Sequence, residues 1–303
     1  MRHVIIFLLT AIPAQAEVPS VVTDIAPVQS LVAQVMGDLG APDLLLAKGA
    51  DEHDFQLRPS QAGAVADAGL VVWIGPELTP WLAGALETRP EGAAALALLE
   101  AEGTTGRTYG EAGPDAEGTV RLQGDGPAAK DPHAWLDPDN GQLWLRSIAD
   151  ELGRLDPENA AAYQANAVAA ADRIKALDVE LAAALAPVKN KPLVTYHDAF
   201  GYFADHFGLA LAGSVALGDA SSPGAARLAR LRADLAAGGV VCVFPEVQSD
   251  PTLLTQLAEG TAVKIGGALD SVGSSLEPGP GAYAALLMGL AQTIAECAGG
   301  EPG

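Results

Sequence analysis

Imidazole is scarce in this chain, with five histidines in 303 residues: His3, His53, His133, His197 and His206. Neutral imidazole is the commonest protein ligand for transition metals, and borderline-soft zinc favours it over cages built only of oxygen. His53 and His133 stand in matching contexts, Asp51-Glu52-His53-Asp54-Phe55 and Asp131-Pro132-His133-Ala134-Trp135, each a loop flanked by acidic residues and followed closely by an aromatic. His197 follows the apolar run Pro192-Leu193-Val194-Thr195, which reads as a strand, and precedes the helix-like Phe200-Gly201-Tyr202-Phe203-Ala204. That places it at the carboxyl end of a strand, where open α/β sheets present ligand-binding groups. Taken singly, each of the three reads equally well as a hydrogen-bonded loop histidine. Their spacing is long-range, so no local motif such as His-Glu-x-x-His gathers them on one helix. His206, within Ala204-Asp205-His206-Phe207, reads as a hydrogen-bonded residue on a helix surface and not as a ligand.

The elements that must position these groups alternate. In the first part, strand patterns at Val21–Thr23, Asp43–Ala47 and Leu70–Ile74 are separated by helix patterns at Pro27–Met36 and Pro59–Ala68, with a further helix carrying Trp81 and Leu82. Strands separated by single helices imply parallel sheets covered on both faces. From Gly103 to Lys130 the pattern gives way to Gly, Thr, Pro and charges, a long loop. A helix is expected from Asn140 to Leu152, ended by Gly153. A longer one follows, capped by Asp156 with Pro157 in its first turn and stopped by Pro187. Tyr163, Ala167, Ala170, Ile174, Leu177, Leu181 and Leu185 form a single apolar stripe along it. From Pro157 to Ala186 it would run about 45 Å, enough to brace two lobes. The last part repeats the alternation, with strands near Leu193, Ala212, Val241 and Val263 and helices near Phe203, Leu228 and Leu254. Asp270 follows the last strand and shares an edge with His197; it could equally cap a turn with Ser271 or Gly273. The fold class is therefore α/β, with two lobes of parallel-rich sheet flanked by helices and joined by one long rigid helix. The expected division is 17–153, 154–188 and 189–303.

Residues 1–16 read as a secretory signal peptide: Arg2 precedes the apolar stretch Val4–Ile12, and Ala14-Gln15-Ala16 supplies a cleavage site. The apolar stretch is too short to span a bilayer, so an exported protein is expected. The chain carries 17 basic and 38 acidic residues, a formal charge of −21. That excludes nucleic acid and anionic membrane surfaces as partners. Two cysteines remain in the exported part, Cys242 in the strand-like Val240–Phe244 and Cys297 near the end of the last helix. An oxidising compartment and an even count predict a disulfide between them.

Read together, certain stretches resemble the metal-binding solute-binding proteins of ABC importers, in particular the ZnuA-type zinc branch. They are Gly49-Ala50-Asp51-Glu52-His53-Asp54-Phe55, Asp131-Pro132-His133-Ala134-Trp135-Leu136-Asp137-Pro138, Tyr196-His197-Asp198-Ala199-Phe200-Gly201-Tyr202-Phe203, Phe244-Pro245-Glu246-Val247-Gln248 and Leu269-Asp270. The resemblance spans essentially the whole exported chain. It implies a metal held between two lobes by His53, His133, His197 and Asp270, with Zn(II) as the transported ligand. A histidine at the third position marks the zinc branch; manganese members typically have a glutamate there. Three imidazoles and one carboxylate suit tetrahedral zinc and leave no open position for a substrate.

The resemblance further implies a periplasmic location, a monomer, an ABC permease as partner and room for a periplasmic zinc chaperone. One departure stands out. Zinc members often carry a histidine-rich loop before the second ligand, whereas the loop from Gly103 to Lys130 has no histidine and instead has Glu111, Asp115, Glu117 and Asp125. The alternatives are a manganese receptor of the same class, an exported zinc hydrolase with Glu52 or Glu246 as general base, and a secreted metal buffer or adhesin.

Overall fold

A computed structural model of the chain describes residues 18–50, 55–109, 129–216 and 224–299. The predicted leader, the loop residues Glu111, Asp115, Glu117 and Asp125, and both Glu52 and His53 lie outside the described residues. The first lobe runs β1 (Val21–Thr23), α1 (Ala26–Met36), β2 (Asp43–Leu44), α2 (Pro59–Asp67), β3 (Leu70–Trp73), α3 (Pro80–Leu86) and β4 (Ala94–Ala97). Its four strands are parallel in the order β2-β1-β3-β4, with Val22 opposite Val71. The strands are short apolar runs because both faces are covered; Val21, Val22, Leu70, Val71 and Val72 are all essentially inaccessible. β4, with its alanine-rich Ala-Ala-Leu-Ala, carries little β-branched signal, and the sequence pattern does not reveal it.

The stretch expected as one long loop contains a further element. β5 (Arg107–Thr108) pairs antiparallel with β6 (Lys130–Asp131), setting Arg107 opposite Asp131. A 3-10 turn (Ala134–Leu136) leads into α4 (Pro138–Leu155), whose N-cap Asp137 accepts from the Asp139 amide at 2.9 Å. α4 continues through Gly153 instead of stopping there. A Cβ on Gly153 would lie 3.1 Å from the Ala160 Cβ, so the missing side chain serves the tight return into the next helix.

That helix, α5 (Ala160–Leu185), has 26 residues and spans about 39 Å. It begins three residues later than the capping pattern suggests. Asp156 closes α4 instead, and its carboxylate accepts from the Asn159 side chain at 2.7 Å and the Tyr163 hydroxyl at 2.8 Å. The apolar stripe behaves largely as expected, with Tyr163, Ala167, Ala170, Ile174, Leu181 and Leu185 buried and Leu177 partly so.

The second lobe runs β7 (Leu193–Thr195), α6 (Gly201–Phe207), β8 (Leu211–Ser214), α7 (Ala225–Ala236), β9 (Cys242–Phe244), α8 (Thr252–Ala258), β10 (Lys264–Ile265) and α9 (Ala282–Gly299). Its four strands are parallel in the order β10-β9-β7-β8. The chain leaves β7 toward β8 and returns through β9 on the other side, so the crevice beyond β7 and β9 is the point where strand order reverses.

One apolar core runs through both lobes, joining α1, α4 and α5 to Phe203 of α6 and to Leu286, Leu287 and Leu290 of α9. Polar bonds cross in the same region. The Trp135 indole donates to the Ser271 carbonyl at 2.8 Å, and the Tyr283 hydroxyl donates to the Trp135 carbonyl at 2.9 Å. Glycine is required at position 141, since a Cβ there would sit 2.3 Å from the Tyr283 hydroxyl. Cys242 and Cys297 are disulfide-bonded, tying β9 to α9. No helix among the described residues is long and apolar enough to cross a membrane.

Candidate metal centre

Two of the predicted histidines meet between the lobes. His133 ends the segment after β6 and is fully buried, and His197 follows β7 at the strand-order reversal, 8 % exposed. Their Nε2 atoms are 3.3 Å apart. On the far side of each ring stands a carboxylate: Asp131 Oδ1 lies 2.8 Å from His133 Nδ1, and both Glu246 oxygens lie 2.6 Å from His197 Nδ1. A carboxylate only accepts, so each Nδ1 carries the hydrogen and each Nε2 presents its lone pair inward.

Two nitrogens at that distance need something between them, either one shared proton or a cation that both lone pairs bind. Two nitrogens bound to one zinc at 2.0–2.1 Å with a tetrahedral angle would stand about 3.3–3.4 Å apart. The spacing of the pair therefore fits zinc. Carboxylates behind ligating imidazoles fix the ring orientation and raise ligand basicity. Apolar rings line the pair: Trp135 packs on His133 at 5.1 Å and Phe200 on His197 at 6.3 Å between ring centres.

Asp131 and Glu246 hold these rings, and both belong to motifs visible in sequence. Their role is not visible there, because Glu246 reaches His197 from 49 residues away. Asp270 shares an edge with His197, following the isolated bridge between Glu246 and Leu269. Its carboxylate caps the following turn, accepting from the Ser274 amide at 2.9 Å, the Ser275 amide at 2.9 Å and the Ser275 hydroxyl at 2.6 Å. Among the described residues, Asp137, Asp139 and His206 form the only trio of candidate metal-binding groups whose atoms all lie within 4.8 Å of one another.

That trio is better satisfied by a proton. His206 Nδ1 lies 3.0 Å from Asp137 and 3.9 Å from Asp139, while Nε2 lies 2.8 Å from Asp178 of α5. The hydrogen bond to Asp137 raises the imidazole pKa most, against the opposing effect of burial and with help from Asp178, to about 9. A protonated ring donates from both nitrogens and offers no lone pair to a metal. His206 thus ties α6 to the cap of α4 and to α5, instead of lying on an open helix surface. Because its folded pKa is raised above the unfolded value of about 6.5, its stabilising effect is complete below that value. The effect fades as pH rises through about 9. Urea unfolding of chelator-treated protein should show stability declining between roughly pH 6.5 and 9.5, and His206→Gln should flatten that decline.

The chain matches the family described as "ZnuA: Zinc-uptake complex component A periplasmic" over residues 21–297. It is similar to the high-affinity zinc uptake system protein ZnuA of Paracoccus denitrificans, 48% identical over 96% of this chain and 95% of the relative. The protein of the same name from Brucella abortus is 35% identical over 91% of each chain. In three dimensions the chain resembles a ZnuA deletion mutant solved with zinc bound, with a TM-score of 0.76 and 25% identity, covering 93% of this chain and 99% of that one.

Proposed function

The chain belongs to the ZnuA family of periplasmic zinc-uptake components, and from that premise we propose that it captures Zn(II) between its lobes with His53, His133, His197 and Asp270. It is the zinc-binding component of an ABC importer and works with that importer's permease and ATPase. The observation that supports the ligand set is the pair of buried Nε2 atoms 3.3 Å apart, each ring backed by a carboxylate. His53 supplies a third imidazole from the first lobe. Asp270 closes the set with a carboxylate oriented by its bonds from Ser274 and Ser275. Four protein ligands leave zinc no position for an activated water, so the site stores and releases metal, with no catalytic step and no role for Glu246 as a general base. Glu246 is occupied in holding His197.

We further read the leader as cleaved after Ala16, the exported protein as a monomer divided at 17–153, 154–188 and 189–303, and a zinc chaperone as a partner that could load the site. Metal analysis of the purified exported protein is expected to find about one zinc per chain, and manganese should not displace it in competition titration. A protein that retains manganese in preference to zinc would overturn the assignment of cargo.

A further inference from the structure

We propose that Arg107 is a positioning residue for the metal, setting the spacing of His133 and His197 by linking the carboxylate behind His133 to the helix that follows His197. The inference rests on the ligand pair proposed above. Arg107 stands opposite Asp131 in the β5–β6 ladder, and its Nε lies 3.9 Å from Asp131 Oδ2. The other oxygen of the same carboxylate takes the His133 amide at 3.0 Å and faces its Nδ1 at 2.8 Å. Arg107 therefore stands within ion-pair range of one oxygen of the buried carboxylate while His133 is hydrogen-bonded to the other.

The guanidinium is also paired with Asp205 of α6. Its charge lies 5.8 Å from the centre of the Tyr202 ring, a cation–π contact. The Arg107 amide donates to the Tyr202 hydroxyl at 2.8 Å, and that hydroxyl donates to the Asp131 carbonyl at 2.9 Å. Glycine at 201 is what admits the arginine, since a Cβ there would sit 2.7 Å from its Nε and Nη2.

α6 begins four residues after His197, so the segment that carries one ligand also grips the arginine behind the other. The circuit runs from His197 through Tyr202 and Asp205 to Arg107, then through Asp131 to His133. Arg107 and Asp131 are buried, their side chains 8% and 2% exposed, whereas Asp205 closes the circuit from the surface, its side chain 38% exposed. Sequence position conceals this, because Arg107 precedes Tyr202 by 95 residues.

Three measurements test it: zinc affinity by chelator competition, the visible spectrum of the Co(II)-loaded protein, and thermal unfolding of the chelated protein. Arg107→Gln should weaken zinc about tenfold or more, the range seen when outer partners of ligands are removed, and should shift the Co(II) bands. Arg107→Lys, which keeps the charge, should recover part of the affinity. Tyr163→Phe removes a buried bond to Asp156 that takes no part in the circuit. It should lower the unfolding temperature with affinity and spectrum unchanged. If Arg107→Gln does not fold, Asp205→Asn keeps the arginine and its contact with Tyr202 but removes its ion pair with α6, and it should also weaken zinc.

Wild-type affinity and spectrum in the folded Arg107→Gln protein, or in Asp205→Asn, would overturn the inference. So would an equal affinity loss in Tyr163→Phe at matched stability. His197→Ala, run alongside, separates the two readings. If it loses zinc while Arg107→Gln does not, only the positioning role fails; if it binds normally, the ligand pair itself fails.

Discussion

Replacing His197 with alanine is expected to weaken zinc binding by at least about 100-fold. Structural zinc sites are worth about 10–16 kcal/mol in total, so one of four ligands carries about 3 kcal/mol, which is about two decades in affinity. The loss has a second component here. Glu246 is 7% exposed and faces the imidazole with both oxygens, so removing the ring leaves a buried carboxylate with only the longer bond from the residue 197 amide at 3.3 Å and no ring to orient. Alanine at His133 should act alike, since Asp131 is 1% exposed and holds that ring in the same way. His206→Ala should leave zinc affinity nearly unchanged, because that ring is saturated by Asp137 and Asp178. Chelator competition on the three variants measures the contrast. Equal losses at His197 and His206 would remove the distinction between the paired rings and the ion-paired one.

The second large effect concerns stability. Replacing both Cys242 and Cys297 with alanine is expected to destabilise the protein by about 4 kcal/mol, if the cross-link acts by restricting the unfolded chain. The bond closes a loop across a sequence separation of 55 residues. It also joins β9 to α9, the helix whose Leu286, Leu287 and Leu290 enter the core shared with the first lobe. For a chain of this size the change amounts to a drop of roughly 7 °C in unfolding temperature. It should be measured with chelator present, because bound zinc adds its own stabilisation. Alanine at both positions leaves the core without a new polar group. Thiol titration of the unfolded, unreduced parent should find no free thiol, and two thiols would sink the prediction.

What the sequence determined by itself is whatever local pattern encodes. The apolar runs at Val21–Thr23 and Leu193–Thr195 are buried on both faces, so composition alone marks them as parallel strands. The three-and-four stripe of α5 is buried because helical periodicity places it on one side. Cys242 had one possible partner. His133 and His197 stood out because histidine is scarce and their loops are distinctive.

Tertiary structure decided everything that depends on residues meeting across long separations. Glycine at 153 looked like a stop, yet it permits a close helix turn, since the space it leaves is occupied by Ala160. Arg107 and Asp131 lay at the two ends of an apparently featureless loop until ladder pairing set them opposite one another. Asp270 and Glu246 follow strands at one sheet edge, and periodicity cannot tell which of them orients a histidine and which caps a turn. His206 reads as a surface helix residue because its partners belong to α4 and α5, 28 or more residues away. The physical reason is the same in each case. Local pattern reports which face of an element is buried, whereas the partner of a polar group is chosen by the packing of the whole chain, where an unpaired buried charge costs too much to persist.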